Sequence, residues 1–231
     1  MGLTTVTSIL GDVRNTLNDE GSVQRWSDAD IVKYYNAAIL QLALVRPDAT
    51  AVTSALTLVS GTRQTLPSGG LRLIRITRNM GADGLTPGVP VKRADEQTLG
   101  MFKPDWHTQT AAAAIKNYLY DDRDPKTYWV NPPSDGTGRV QGIYSAAPTA
   151  ETTVTVAAGA LLAVDDVYLA PVKAWMLKEA FGVEISSLAS QALSRQYERE
   201  FYQSLGIKYQ GERAVSPNVP QPISQLSSGG A

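Results

Sequence analysis

The chain contains no cysteine among its 231 residues. That excludes disulfides, thiolate metal centres and a cysteine nucleophile. It has a single histidine, His107, so a serine triad would have one imidazole to draw on. Charge of either sign is not in excess: 21 Lys and Arg stand against 22 Asp and Glu, for a formal net charge of −1. A protein devoted to neutralising phosphates carries a basic excess. The whole-chain balance argues against a dedicated nucleic-acid reader and leaves a local patch open. Long apolar runs are missing too. "AAAAI" at 111–115 falls far short of the roughly 20 residues of a membrane span. "MGLTTVTSIL" has no basic region ahead of its apolar residues, and Val6 stands where N-myristoylation requires Ser or Thr. These features predict a soluble intracellular protein. Hydrophobic content of 43% with 19% charged residues is that of a globular chain, long enough for one large domain or a domain with an insertion.

Two helices are expected first. Val6, Ile9, Leu10, Val13 and Leu17 recur at helical spacing until Gly21 breaks the pattern. Ser27 with Asp30 reads as a variant capping box, and Trp26 with Ile31 as a hydrophobic staple. Ile31, Tyr34, Tyr35, Ala38, Leu42 and Val45 then share a face, and Pro47 ends the helix. From about 50 to 160 the period changes. "ALTLV" (55–59), "LRLIRIT" (71–77), "IKNYLY" (115–120), "TYWV" (127–130) and "RVQGIYSA" (139–146) read as strands between Gly, Pro and Asp turns. Residues 95–114 fit a short helix and a long loop. Helical spacing returns at 165–188, with Val172, Trp175, Met176, Ala180 and Val183 on one face and Pro171 near the start. A last helix covers about 189–205 through Leu193, Tyr197, Phe201 and Leu205, with Gly206 as its stop. The remainder is rich in Pro, Ser and Gly and cannot build a core. The expected class is α+β: an antiparallel bundle of about four helices (1–49 and 160–206), an inserted antiparallel β domain (50–159) and an extended C-terminal tail (207–231).

Catalytic chemistry has three tests. "DDRDPKTYWVNPP" (121–133) concentrates Asp121, Asp122 and Asp124. As a calcium loop it fails in both registers. Counting from Asp121 puts Lys126 at the glycine position and Pro132 at the glutamate position; counting from Asp122 puts Thr127 and Pro133 there. As a general acid/base pair it lacks a facing carboxylate. A charged Asp-Pro turn between two strands is the better reading. His107 lies in the loop "KPDWHTQ" with no nucleophile elbow in the chain. "GTGRVQG" (136–142) misses the dinucleotide spacing by one and precedes a strand. Tyr118, Tyr120, Tyr128, Trp129 and Tyr144 could stack sugars or bases, but on alternating strands they read as core and cross-strand pairs. The expectation is no enzyme, no metal and no cofactor. A glycan-binding module is an alternative, and a hydrolase using these aspartates with His107 a weaker one.

Several phrases in order resemble phage head-to-tail adaptor (connector) proteins. They are "WSDADIVKYYNAAILQLALVRPDA" (26–49), "LTLVSGTRQTLP" (56–67), "LIRITRNMGADGLTPG" (73–88), "KPDWH" (103–107) and "YLYDDRDPKTYWVNPP" (118–133). The resemblance implies a helical bundle with an inserted β domain, in a ring of about twelve copies with closed cyclic symmetry. It implies a place at the virion neck, after synthesis in the host cytoplasm. The implied partners are the portal protein above, a tail protein below, and double-stranded DNA passing through the lumen without sequence-specific binding. It implies a C-terminal segment that grips the portal, here Ile207, Tyr209, Val215, Pro217, Val219, Pro220, Pro222, Ile223 and Leu226. Ala82, Asp83, Gly84, Leu85 and Thr86 are the candidate tail-side loop.

Overall fold

The computed structural model describes residues 2–21, 24–184 and 187–215, with side chains up to 206. Helix α1 (Val6–Leu17) starts where the Thr5 hydroxyl accepts from the Ser8 amide at 3.3 Å. It stops at Asn18, which adopts the left-handed conformation at φ 53°. Asn tolerates that region better than most residues, so the helix ends before the expected break at Gly21. Helix α2 (Asp28–Val45) has the expected capping box: Ser27 Oγ accepts from the Asp30 amide, and Asp30 accepts from the Ser27 amide. Arg46 and Pro47 end it, and residues Pro47–Thr50 form a single 3-10 turn.

Eight strands follow: β1 (Ala51–Thr57), β2 (Gly61–Thr65), β3 (Gly70–Met80), β4 (Pro87–Pro90), β5 (Lys92–Arg93), β6 (Asn117–Leu119), β7 (Thr127–Ser134) and β8 (Arg139–Ala146). Short helix α3 (Glu96–Phe102) interrupts them, with Asp95 as its N-cap. The strands form two four-stranded sheets, ordered β1-β8-β3-β4 and β2-β7-β6-β5. Every pairing is antiparallel except β5 with β6, which is parallel, so the expectation of a purely antiparallel region is corrected. The long loop between those two strands permits the parallel return.

β7 also departs from expectation. It runs through Pro132 and Pro133 instead of stopping there, with a cis bond between Asn131 and Pro132. Prolines cannot donate to a ladder. Here the β2 pairing slips between Gly61 and Arg63, opposite the prolines, and the β6 pairing ends at Asn131. Neither neighbour requires the missing N–H groups.

After β8 the chain forms α4 (Thr153–Ala157), α5 (Leu169–Gly182) and α6 (Leu188–Val215). Pro171 is the third residue of α5, where its missing N–H has no helical partner to lose. Val183 lies just beyond α5 and is exposed, as is Val45 at the end of α2, so neither joins the face assigned to it. Residues 153–157 fall within the segment assigned to the β domain, and four of the five are β-branched. They are helical because Thr152 and Thr155 form a capping box, and Val156 packs into the helical core.

Two separate clusters of buried side chains result. Val6, Ile9 and Val13 meet Ile31, Tyr35, Ala38 and Leu42, then Val172, Met176 and Ala180, and finally Phe201 and Leu205. Trp175 and Phe201 hold α5 and α6 together with ring centroids 4.9 Å apart. The second cluster contains Leu56, Leu58, Leu73, Ile76, Tyr118, Tyr128, Val130 and Val140 from the strands and their flanks. Each such side chain contributes roughly 1.5–3 kcal/mol by leaving water. At the junction of helices and strands, Arg46 grips Asp48 through two bonds of 3.0 and 2.7 Å. That guanidinium holds the Asp48 carboxyl below its ordinary range. Beside it Thr50 and Ser145 share a 2.8 Å hydroxyl bond.

Candidate assembly surfaces

The aspartates of 121–126 build a turn. Asp121 Oδ1 accepts from the Arg123 amide at 2.9 Å, and the Asp121 and Asp124 carbonyls accept from the amides of Asp124 and Thr127. Asp122 accepts from Arg72 at 2.9 Å, an exposed pair. The turn borders an open groove of about 860 Å³ whose other wall is Arg93, Asp95 and Glu96. Asp95 is already occupied with the Thr98 amide and hydroxyl. Among the described residues, no group of three or more His, Asp or Glu is placed to hold a metal ion. His107 is far from acid/base company: its ring stacks on Trp106 at 3.6 Å and its Nδ1 meets Thr62 Oγ1 at 3.0 Å. A bond to threonine is a triad element only if a third group orients the imidazole, and among the described residues no carboxylate bonds it. Tyr118, Tyr128 and Tyr144 are buried; Tyr120 and Trp129 are half-buried beside the groove.

The loop Ala82–Thr86 is a rigid knob at the end of the β3–β4 hairpin. Asp83 Oδ1 accepts from the amides of Leu85 and Thr86, both at 2.9 Å, and Oδ2 from the Thr86 hydroxyl at 2.6 Å. Those donors hold the carboxyl down to about 2. Gly84 turns the chain at φ 71°, and a side chain there would press on Arg139 and Ala55. Leu85 is left 80% exposed at the tip. Helix α3 presents a second apolar projection: Met101 and Phe102 are 82% and 81% exposed, and none of its residues is buried. The short helix expected within 95–114 is α3, and the long loop follows it.

The C-terminal segment requires a correction. Helix α6 does not stop at Gly206 but continues to Val215. Ile207, Tyr209 and Val215 therefore belong to a helix and not to an extended tail. A glycine inside a helix costs only about 1 kcal/mol, and flanking helix formers carry the segment across it. Pro217, Val219, Pro220, Pro222, Ile223 and Leu226 lie outside the described residues. No described helix is long and apolar enough to cross a membrane.

None of the curated proteins compared with the chain matches it. A family model does, that of the SU10 adaptor protein, over residues 4–221, which takes in both cores, the knob and all of α6. A match over nearly the whole chain shows that it belongs to the SU10 adaptor protein family.

Proposed function

We propose that the protein is a structural, non-enzymatic component of a bacteriophage virion. Its copies form a ring at the neck that joins the portal to the tail and extends the DNA channel. The observation that carries this reading is the adaptor-family match across residues 4–221. The architecture supports it. Helices from both ends of the chain share one core, with β1 to β8 between them in sequence. We take this as a bundle with an inserted β domain. A bundle of that kind supplies a rigid unit for a closed ring, and the insert supplies projecting loops. In this reading the segment beyond Gly206 grips the portal, and Ala82–Thr86, with Leu85 at its tip, meets the tail protein. Exposed apolar side chains on rigid projections suit such contacts, because they are ordered before binding.

Imaging the purified virion tests the proposal. The expected result is density for this chain as a ring between portal and tail. Its location elsewhere in the particle, or its absence, rejects the neck assignment. Sedimentation of the protein with purified portal provides the solution counterpart, with co-sedimentation expected.

A further inference from the structure

β3 reads "RLIRITR" over residues 72–78, an arginine at every third position. Strand side chains alternate faces with a period of two. In a regular strand Arg75 would therefore point away from Arg72 and Arg78. The register with β8 removes the conflict. Arg72 lies opposite Ser145, Arg75 opposite Ile143 and Arg78 opposite Gln141, with shifts between Leu73 and Arg75 and between Ile76 and Arg78. Each shift inserts one residue, Ile74 or Thr77, and returns the next arginine to the same side. The intervening Leu73, Ile76 and Asn79 oppose Tyr144, Gly142 and Val140 and are buried. Arg139 of β8 belongs to the outer row as well, because 139, 141, 143 and 145 share a face. The steps of the row follow two β8 residues each, about 6.8 Å.

The charge on this sheet is of one sign. β1, β3, β4 and β8 contain four arginines and no Lys, Asp or Glu, in a chain of net charge −1. Arg72 is paired with Asp122. Arg78 donates to the neutral Gln141 side chain at 2.9 Å, so its charge is uncompensated. Among the described residues no carboxylate lies within ion-pair distance of Arg75 or Arg139. Asp83 stands in the knob near Arg139; its oxygens accept from Leu85 and Thr86, which keep it ionised, so its charge offsets part of that of Arg139 and leaves Arg75 and Arg78 the less compensated. The rest of the face is small and flat: Thr53, Ala55 and Thr57 of β1 oppose Ile143, Gln141 and Arg139.

We propose that this face contacts the phosphate backbone of double-stranded DNA through Arg75, Arg78 and Arg139, without reading sequence. The proposal rests on the adaptor reading only for bringing DNA past the protein. Guanidinium groups suit phosphate oxygens through paired N–H donors. Beyond the arginines the long polar side chain on this face is Gln141, whose Oε1 is held by Thr77 and Arg78, and contacts to phosphate oxygens carry no sequence information. Three contacts per chain give weak, salt-sensitive binding, which lets DNA slide. An acidic protein surface is the competing occupant. Protein interfaces are anchored mostly by Trp, Tyr and Arg; the outward positions of this sheet offer arginine but no aromatic to fill a pocket on a protein partner.

The test measures binding of the full-length protein to a labelled random-sequence duplex by anisotropy across a salt series. The expected slope of log affinity against log salt is about −0.9 per phosphate contact, and the variant Arg75→Gln/Arg78→Gln/Arg139→Gln loses roughly three such contacts. Its affinity near 0.1 M salt, relative to 1 M, falls by about 500-fold on the same relation. The charge-preserving variant Arg75→Lys/Arg78→Lys/Arg139→Lys retains the slope, which separates charge loss from misfolding. Unchanged binding in the glutamine variant overturns the proposal. So does an absence of salt-dependent binding in the natural protein. Lost ring formation in the glutamine variant with DNA binding intact assigns the face to a protein partner and also overturns it. Virion imaging is independent of every arm, so failure here leaves the neck assignment standing or falling on its own result.

Discussion

Arg14 Nη1 lies 2.7 Å from Asp19 Oδ2, where α1 gives way to the turn before α2, and both side chains are almost fully buried. The same guanidinium bonds the Trp26 carbonyl at 3.1 Å and Asp28 at 2.7 Å, while Asp19 also accepts from the Arg25 amide at 2.6 Å. The pair therefore fixes the entry of α2 onto α1. Removing one partner strands a buried charge, which costs about 3–5 kcal/mol. Arg14→Met is expected to lower the unfolding free energy by that amount in a urea titration. Adding Asp19→Asn should recover part of the loss, because the stranded carboxylate is gone. A single variant as stable as the natural protein would contradict the clamp.

Asn79 performs a similar task in the strand region without charge. Its Nδ2 donates to the Val89 and Ile115 carbonyls at 3.0 and 2.8 Å, and its Oδ1 accepts from the Ile115 amide at 2.9 Å. It thus joins β3 to β4 and to the chain entering β6. Asn79→Ala leaves buried backbone groups unpaired, at about 1–3 kcal/mol each. The two buried Ile115 groups alone put the expected loss at about 2–6 kcal/mol on the same scale. Amide exchange at Ile115 should accelerate with it. Unaltered protection at Ile115 would show that the side chain is not its partner.

The knob has a pH signature. Asp83 has its folded pKa depressed to about 2 by hydrogen bonds from Thr86 and Leu85. A depressed carboxyl stabilises the folded loop above its unfolded pKa, near 3.8, and that contribution is lost as pH falls through about 2. Two-dimensional NMR of the Leu85 and Thr86 amides should therefore show the loop intact at pH 4 and released only near 2. Titration of those amides near the ordinary carboxylate value would contradict the bonding. Asp83→Ala should loosen the loop at every pH.

Much of this architecture is legible in sequence where local chemistry and tertiary packing agree. Ser27 with Asp30 announces the start of α2, and Pro47 announces its end, because both act within a few residues. "RVQGIYSA" coincides with β8 because strand-forming residues sit between strong turn signals. What escapes sequence is decided by partners. β2 hides in a polar turn-like stretch and exists by pairing with β7. α4 is β-branched at four of its five positions and is helical through its capping box. Gly206 looks like a stop but is passed over, since a single glycine is a small penalty. The arginine row is the clearest case. Its period of three fits neither helix nor strand, and only the bulges against β8 turn it into a face.

The aspartate turn should tolerate change. Among the described residues Asp122 pairs with Arg72, and the pair is exposed at both ends. Exposed pairs contribute about 0–1 kcal/mol. Asp124 supplies the turn through its backbone carbonyl, which an asparagine retains. Asp122→Asn/Asp124→Asn is expected to shift the unfolding free energy by less than about 1 kcal/mol and to leave assembly into particles unchanged. Loss of assembly in a folded double variant would give the turn a role at a subunit boundary.

The C-terminal segment calls for two cuts instead of one. Phe201 and Leu205 are buried in the helical core, and α6 continues ten residues past Leu205 to Val215. A chain ending at 206 puts the helix terminus directly against that core, where its last four carbonyls lose their helical partners. A chain ending at 215 keeps the terminus nearly three turns away. The chain ending at 215 is expected to melt within ~2 °C of the full chain, and the chain ending at 206 several degrees lower, by roughly 1 kcal/mol of lost helix. Attachment to portal-bearing particles divides the docking residues. If Pro217, Val219, Pro220, Pro222, Ile223 and Leu226 grip the portal, the chain ending at 215 is folded but does not attach. Full attachment by that chain, lost only on cutting to 206, would move docking onto the helical stretch that holds Ile207, Tyr209 and Val215. Full attachment by both truncations would remove the C-terminal segment from portal binding.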